Sequence, residues 1–111
     1  MKLLIIGSRS ITDFDLSGYI PKNTDLIISG GANGIDSITE KYADDHKISK
    51  LIIRPKYSIY GKGAPLKRNE KMVDISDEVL IIWDGISRGT KYTETYAKKQ
   101  NKKITVISFE N

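Results

Sequence analysis

The sequence predicts an α/β domain built on a parallel sheet. Three observations carry that expectation. Five short apolar runs are nearly unbroken in Leu, Ile and Val, as strands covered on both faces are. Segments with helical spacing of apolar residues lie between the later runs. Three of the runs end in turns marked by glycine. Strand and helix in alternation imply right-handed crossovers and a sheet with helices packed on it.

The elements follow in order. The first strand is expected over residues 2–6 and runs into Gly7-Ser8-Arg9. The connection over 12–20 is short and opens with Thr12-Asp13, a pair suited to an N-cap. The second strand, 25–29, runs into Gly30-Gly31-Ala32-Asn33-Gly34-Ile35-Asp36. A helix over 33–47 carries Ile35, Ile38, Tyr42 and Ala43 three or four residues apart. The third strand is expected at 51–54. The stretch from Arg54 to Pro65 reads as the longest irregular loop, and long loops in small domains often carry function. A helix over 64–76 carries Leu66, Met72, Val73 and Ile75. The fourth strand, 79–83, runs into Asp84-Gly85-Ile86-Ser87-Arg88-Gly89-Thr90. A helix over 88–101 carries Tyr92, Tyr96 and Ala97, and the fifth strand takes 103–108.

The 111 residues suit one domain with a thin core. The chain has no cysteine, which excludes disulfides, thiolate metal sites and thiol catalysis. Its one histidine, His46, leaves no second imidazole for zinc or for most triads and reads best as an exposed helix-end residue. No metal site and no cofactor are expected. No run is long enough to span a membrane, and the apolar start is too short for a signal peptide, so a cytoplasmic protein is expected. The formal charge of +4 is a mild bias that suits anionic ligands without demanding nucleic acid. Part of it, Lys98, Lys99, Lys102 and Lys103, suits a solvated helix end that complements the helix dipole.

In an open parallel sheet, turns after the strands share the carboxyl edge, where ligands bind. Two of the three turns lead into helices, whose first amides lack partners and attract anions. Clustered Gly30, Gly31 and Gly34 would let a ligand approach the backbone, with Ala32 and Asn33 between them. The alternative is a tight turn with no ligand. Asp36 could meet a ribose hydroxyl or cap the helix. In the Asp84-Gly85-Ile86-Ser87-Arg88-Gly89-Thr90 turn, Ser87 and Thr90 offer hydroxyl donors beside free amides at a helix start, while Arg88 adds charge; the alternative is again a turn with an N-cap. Gly7, Ser8 and Arg9 form a weaker motif, in which Arg9 can reach over the rim. Lys67, Arg68, Asn69 and Glu70 are equally compatible with a plain charged surface helix. Tyr57 and Tyr60 could stack on a base or pack at the domain edge, and Trp83 reads as rim packing. Neither the dinucleotide fingerprint nor the P-loop signature occurs.

The motifs together resemble a known family. Gly-Ser-Arg, Gly-Gly-Ala-x-Gly-Ile-Asp, Tyr-Gly-Lys-x-Ala-x-x-x-Arg-Asn-x-x-Met and Asp-Gly-x-Ser-x-Gly-Thr occur in order. The chain is similar to small stand-alone members of the SLOG superfamily, in its YspA-like branch. That superfamily also holds the LOG phosphoribohydrolases and the Rossmann domain of DNA-processing protein A. The resemblance covers nearly the whole chain. It implies a Rossmann-like three-layer sandwich with a five-stranded parallel sheet of order 3-2-1-4-5, which would bring the three Gly turns to one pocket.

For site residues, the resemblance to the LOG enzymes implies Arg68, four positions before Met72, and Gly89-Thr90 as a phosphate loop. Their catalytic glutamate falls three residues after that threonine. Here Thr93 stands there, and Glu94 comes one residue later, turned by about 100° on a helix. Their Pro-Gly-Gly is Trp83-Asp84-Gly85. Arg68, Glu94 and Asp84 are therefore the candidates for any catalysis. The first expectation is binding of a nucleotide or ADP-ribose-like molecule without turnover, with Arg9, Arg68 and Arg88 neutralising phosphate. The second is cleavage of an N-glycosidic bond, which needs a carboxylate near the ribose. Single-stranded nucleic acid ranks third, since no long basic stripe is present. Relatives of this kind are often dimers, so a homodimer is expected.

Overall fold

The computed structural model describes residues 1–109. Five parallel strands form one sheet of order β3-β2-β1-β4-β5. They are β1 (Lys2–Gly7), β2 (Leu26–Ser29), β3 (Ser49–Ile52), β4 (Glu78–Trp83) and β5 (Lys103–Ser108). Central β1 pairs with β2 through Leu3 opposite Ile27, and with β4 through Ile5 opposite Leu80. Side chains alternate across the pleat and feed two cores. Leu3, Ile5, Ile27 and Leu80 face one layer, whereas Leu4, Ile6, Ile28 and Ile81 face the other.

Helix α1 (Ile35–Asp45) covers the first face through Ile35 and Ala43. Helices α3 (Ala64–Ile75) and α4 (Arg88–Lys99) cover the second through Met72, Val73 and Ala97. The result is the three-layer Rossmann-like sandwich expected from the sequence. Each fully buried Leu or Ile contributes about 1.5–3 kcal/mol, so the four-residue aliphatic stretches of β1 and β4 hold most of the sheet together.

Several boundaries differ from expectation. Strand β3 begins at Ser49 and ends at Ile52, not over 51–54. It is an edge strand whose backbone pairs with β2 from Leu26 opposite Ser49 onward, so Ser49 and Lys50 join the ladder although both are polar and exposed. Strand β5, the other edge, is likewise mostly exposed, so only the inner strands are covered on both faces. The Arg54–Pro65 loop holds two helical turns, α2 (Tyr57–Tyr60) and a 3-10 turn at Gly61–Gly63. Residues 12–20 form no helix. Ile11 and Leu16 from this connection are nonetheless buried in the first core and substitute for a covering helix. Thr12-Asp13 therefore caps nothing, and the local turn is held by Asp15, which accepts from the Ser17 amide at 2.9 Å.

Helical spacing was read correctly, but not every buried face. Helix α4 buries Thr90, Thr93, Glu94 and Ala97. Its tyrosines reach sideways to α3, where Tyr96 donates to Asp74 at 2.8 Å and Tyr92 bonds Glu70. His46 caps α1 in exposed surroundings, stacked on Tyr42 with ring centroids 3.9 Å apart. None of the helices is long and apolar enough to cross a membrane among the described residues.

Candidate functional site

The sheet order sets the ends of β2, β1 and β4 side by side. The loops after them are tied to one another. Ser8, almost fully buried, accepts from the Asp84 amide at 3.0 Å and shares a 3.1 Å contact with the Ser87 hydroxyl. Asp84 accepts from the Ser87 amide at 2.9 Å, the Ile86 amide at 2.8 Å and the Ser10 hydroxyl at 2.8 Å. These donors, the Ser87 and Ile86 amides first, hold its carboxyl well below the ordinary range. The second loop closes on the first at Gly34, which has φ of +72°. A Cβ there would stand 2.5 Å from the Arg9 carbonyl oxygen, so only glycine lets the two loops touch.

A cleft of about 480 Å³ opens on this rim. Ser8, Arg9 and Ser10 line it from the first loop, Ala32 and Asp36 from the second, and Ser87, Gly89 and Thr90 from the start of α4. Pro65, Leu66, Arg68, Asn69 and Met72 close it from α3. A smaller notch of about 260 Å³ adjoins it and shares Arg9, Ala32 and Arg68.

Arg68 is 8% exposed and is seated on backbone. Its Nη1 donates to the Gly30 carbonyl at 2.6 Å and the Ile53 carbonyl at 3.2 Å, and its Nε donates to Asn69 Oδ1 at 2.7 Å. Nη2 has no hydrogen-bond partner among the described residues. Burial disfavours the charged form of Arg68, and the nearby Asp36 charge partly restores it. Asn69 donates in turn to Thr93 Oγ1 at 2.8 Å, and Thr93 donates to the Gly89 carbonyl at 2.9 Å. This relay fixes the arginine relative to the first turn of α4.

Asp36 is 7% exposed. One carboxylate oxygen accepts from the Ala32 amide at 3.0 Å, and the other bonds nothing among the described residues. Burial pushes its carboxyl up, against the pull of the Ala32 amide and the Arg68 charge. The Ala32 amide is thus already used, and the α1 start is closed by the first loop. Of the two helix starts expected to attract anions, only that of α4 is open to the cleft.

The expected site residues fall into three groups. Gly7, Ser8, Arg9, Ala32, Asp36, Arg68, Asn69, Ser87, Gly89 and Thr90 meet in the main cleft. Gly30, Gly31 and Asn33 border the notch. Gly34, Asp84, Gly85, Arg88 and Glu94 line neither. Glu94 is engaged by Lys91 at 3.0 Å and Lys98 at 3.5 Å along α4, and the Lys91 hydrogen bond leads in lowering its carboxyl pKa. Arg88 is exposed and reaches no partner among the described residues. Trp83 packs on the second core and donates from Nε1 to the Ser87 carbonyl at 3.0 Å, as rim packing implies. Tyr57 borders the notch, whereas Tyr60 faces a separate groove beside α3.

Sequence reasoning missed Ser10, Thr93 and Arg54. Arg54 borders the notch and donates to the Gly31 carbonyl at 3.3 Å. It opens the long loop, and a basic residue directly after an edge strand was the available signal. The chain matches no protein-family model, no curated protein and no solved structure in the comparisons made.

Proposed function

We propose that this protein binds a nucleotide or ADP-ribose-like ligand at the carboxyl edge of its sheet, without turning it over, as a sensor, carrier or sequestering protein of SLOG type. One observation carries the reading. The start of α4 opens into a cleft beside the buried side chain of Arg68, whose Nη2 has no partner among the described residues, and Gly89 stands at that start with open space where a Cβ would lie. Gly89 has neither a positive φ nor a packing neighbour to require glycine. Helices disfavour glycine, and room for a ligand against the first-turn amides accounts for it. Binding without hydrolysis is favoured because Glu94 and Asp84 are both engaged elsewhere and neither lines the cleft.

The test is a thermal-shift and calorimetric panel of AMP, ADP-ribose, cyclic ADP-ribose, NAD, ATP and cyclic dinucleotides. Ligand at 100 times its Kd stabilises by about 2.7 kcal/mol, which raises Tm by about 10–20 °C in a domain of this size. The ligand should be recovered intact, and Gly89→Leu should abolish the shift while the fold is kept. No shift across the panel would refute the reading, and release of free base would replace it with glycosidic hydrolysis. We further propose that the protein works as a homodimer.

A further inference from the structure

The Gly30-Gly31 pair lies against two arginines. A Cβ on Gly30 would stand 2.6 Å from Arg68 Nη1, and one on Gly31 would stand 2.7 Å from Arg54 Nη1. Arg9 completes the border of the same notch. Three guanidinium groups therefore surround a space of about 260 Å³ that no carboxylate lines. Arg54 makes one long hydrogen bond, and Arg9 makes none among the described residues. No salt bridge neutralises any of the three among the described residues. Like charges gathered this way repel one another: burial first and then the Arg9 charge disfavour the charged form of Arg68, and the nearby Asp36 charge offsets them in part. A phosphate or similar anion relieves that repulsion, and guanidinium forks match its oxygens in pairs.

We propose that this notch is a second anion seat, so that the ligand carries two separated anionic groups, one against the start of α4 and one between Arg9, Arg54 and Arg68. Asp36 lies on the main-cleft side of Arg68. Its second carboxylate oxygen bonds nothing among the described residues; in the ionised form it accepts hydrogen bonds only, so it repels negative charge from the middle of the ligand and suits a hydroxyl there. A sugar with a phosphate on each side has that order of groups. The inference rests on the nucleotide reading for the first seat and adds the second.

The experiment titrates the full chain with AMP, adenosine 3′,5′-bisphosphate and the linear dinucleotide pApA by calorimetry. AMP reports the first seat alone. The better two-anion probe should bind at least about tenfold tighter than AMP, as a charge-assisted contact of this kind provides. Arg54→Gln should erase that advantage, leave AMP affinity unchanged and leave Tm unchanged, because Arg54 is exposed. If AMP binds and neither two-anion probe gains over it, the second seat is refuted while the nucleotide reading stands. Loss of AMP binding together with both other probes refutes both. An advantage that survives in Arg54→Gln and in Arg9→Gln alike refutes the notch as its source.

Discussion

Gly89 costs the free protein stability that an alanine would return. It is the second residue of α4, with ordinary helical φ and nothing within 4 Å of its missing Cβ. Gly89→Ala should stabilise the ligand-free chain by about 0.5 kcal/mol, seen as a rise in Tm of about 2–4 °C, while weakening nucleotide binding. A fall in Tm would show that some unseen structural need holds the glycine. The contrast with Gly34 explains what was legible at this scale. All the glycines of the motifs read alike in sequence, as loop residues a ligand approaches. Only the folded contacts separate Gly34, which lets two loops touch, and Gly30 and Gly31, which seat arginines, from Gly89, which faces open space. Asp36 shows the same limit. It does not cap α1, since its one hydrogen bond among the described residues goes to the Ala32 amide of the preceding loop, a contact that sequence spacing does not announce.

At the scale of elements, β1, β2, β4 and α4 were legible because their signals are local. Unbroken aliphatic runs end in Gly or Asp, and the helix follows a turn rich in small residues. Strand β3 and the turns of α2 were not. The β3 ladder starts on Ser49 and Lys50 because β2 offers partners, a long-range cause that polar side chains conceal. The junction between the β1 and β4 loops is the element-scale feature most exposed to pH. Asp84 joins them, and its donors depress its folded pKa below the unfolded value. Such a group contributes stability that is fully present above the unfolded pKa near 4 and is lost as pH falls through the folded value. Asp84→Asn should therefore lower Tm at pH 7, and the gap to wild type should shrink steadily as pH falls below about 4. A gap of the same size at pH 7 and pH 3 would remove the carboxylate charge as the tie between these loops.

For the whole molecule, the open question of surface is where a second copy would sit. Both sheet edges are exposed, but each carries lysine, Lys50 on β3 and Lys103 on β5, and edge charges guard against strand-to-strand pairing. Exposed apolar side chains stand singly on those edges, Leu51 on β3 and Val106 on β5, and at Ile86 after β4, but three gather on one short turn. Tyr57, Ile59 and Tyr60 share the single turn of α2 and are 58%, 66% and 50% exposed. Contiguous apolar side chains of this kind mark contact surfaces more often than bare solvent-facing ones. Because Tyr57 also borders the arginine notch, pairing through this turn would place each copy beside the other's ligand rim. Light scattering should accordingly give twice the monomer mass at micromolar concentration, with a Tm that rises with protein concentration because association stabilises the folded state. The double variant Ile59→Lys, Tyr60→Lys should give the monomer mass and a Tm independent of concentration, with the fold retained, since both side chains are exposed. A wild-type monomer at every concentration would rule out the dimer. A dimer that survives the double variant would move the interface off this turn.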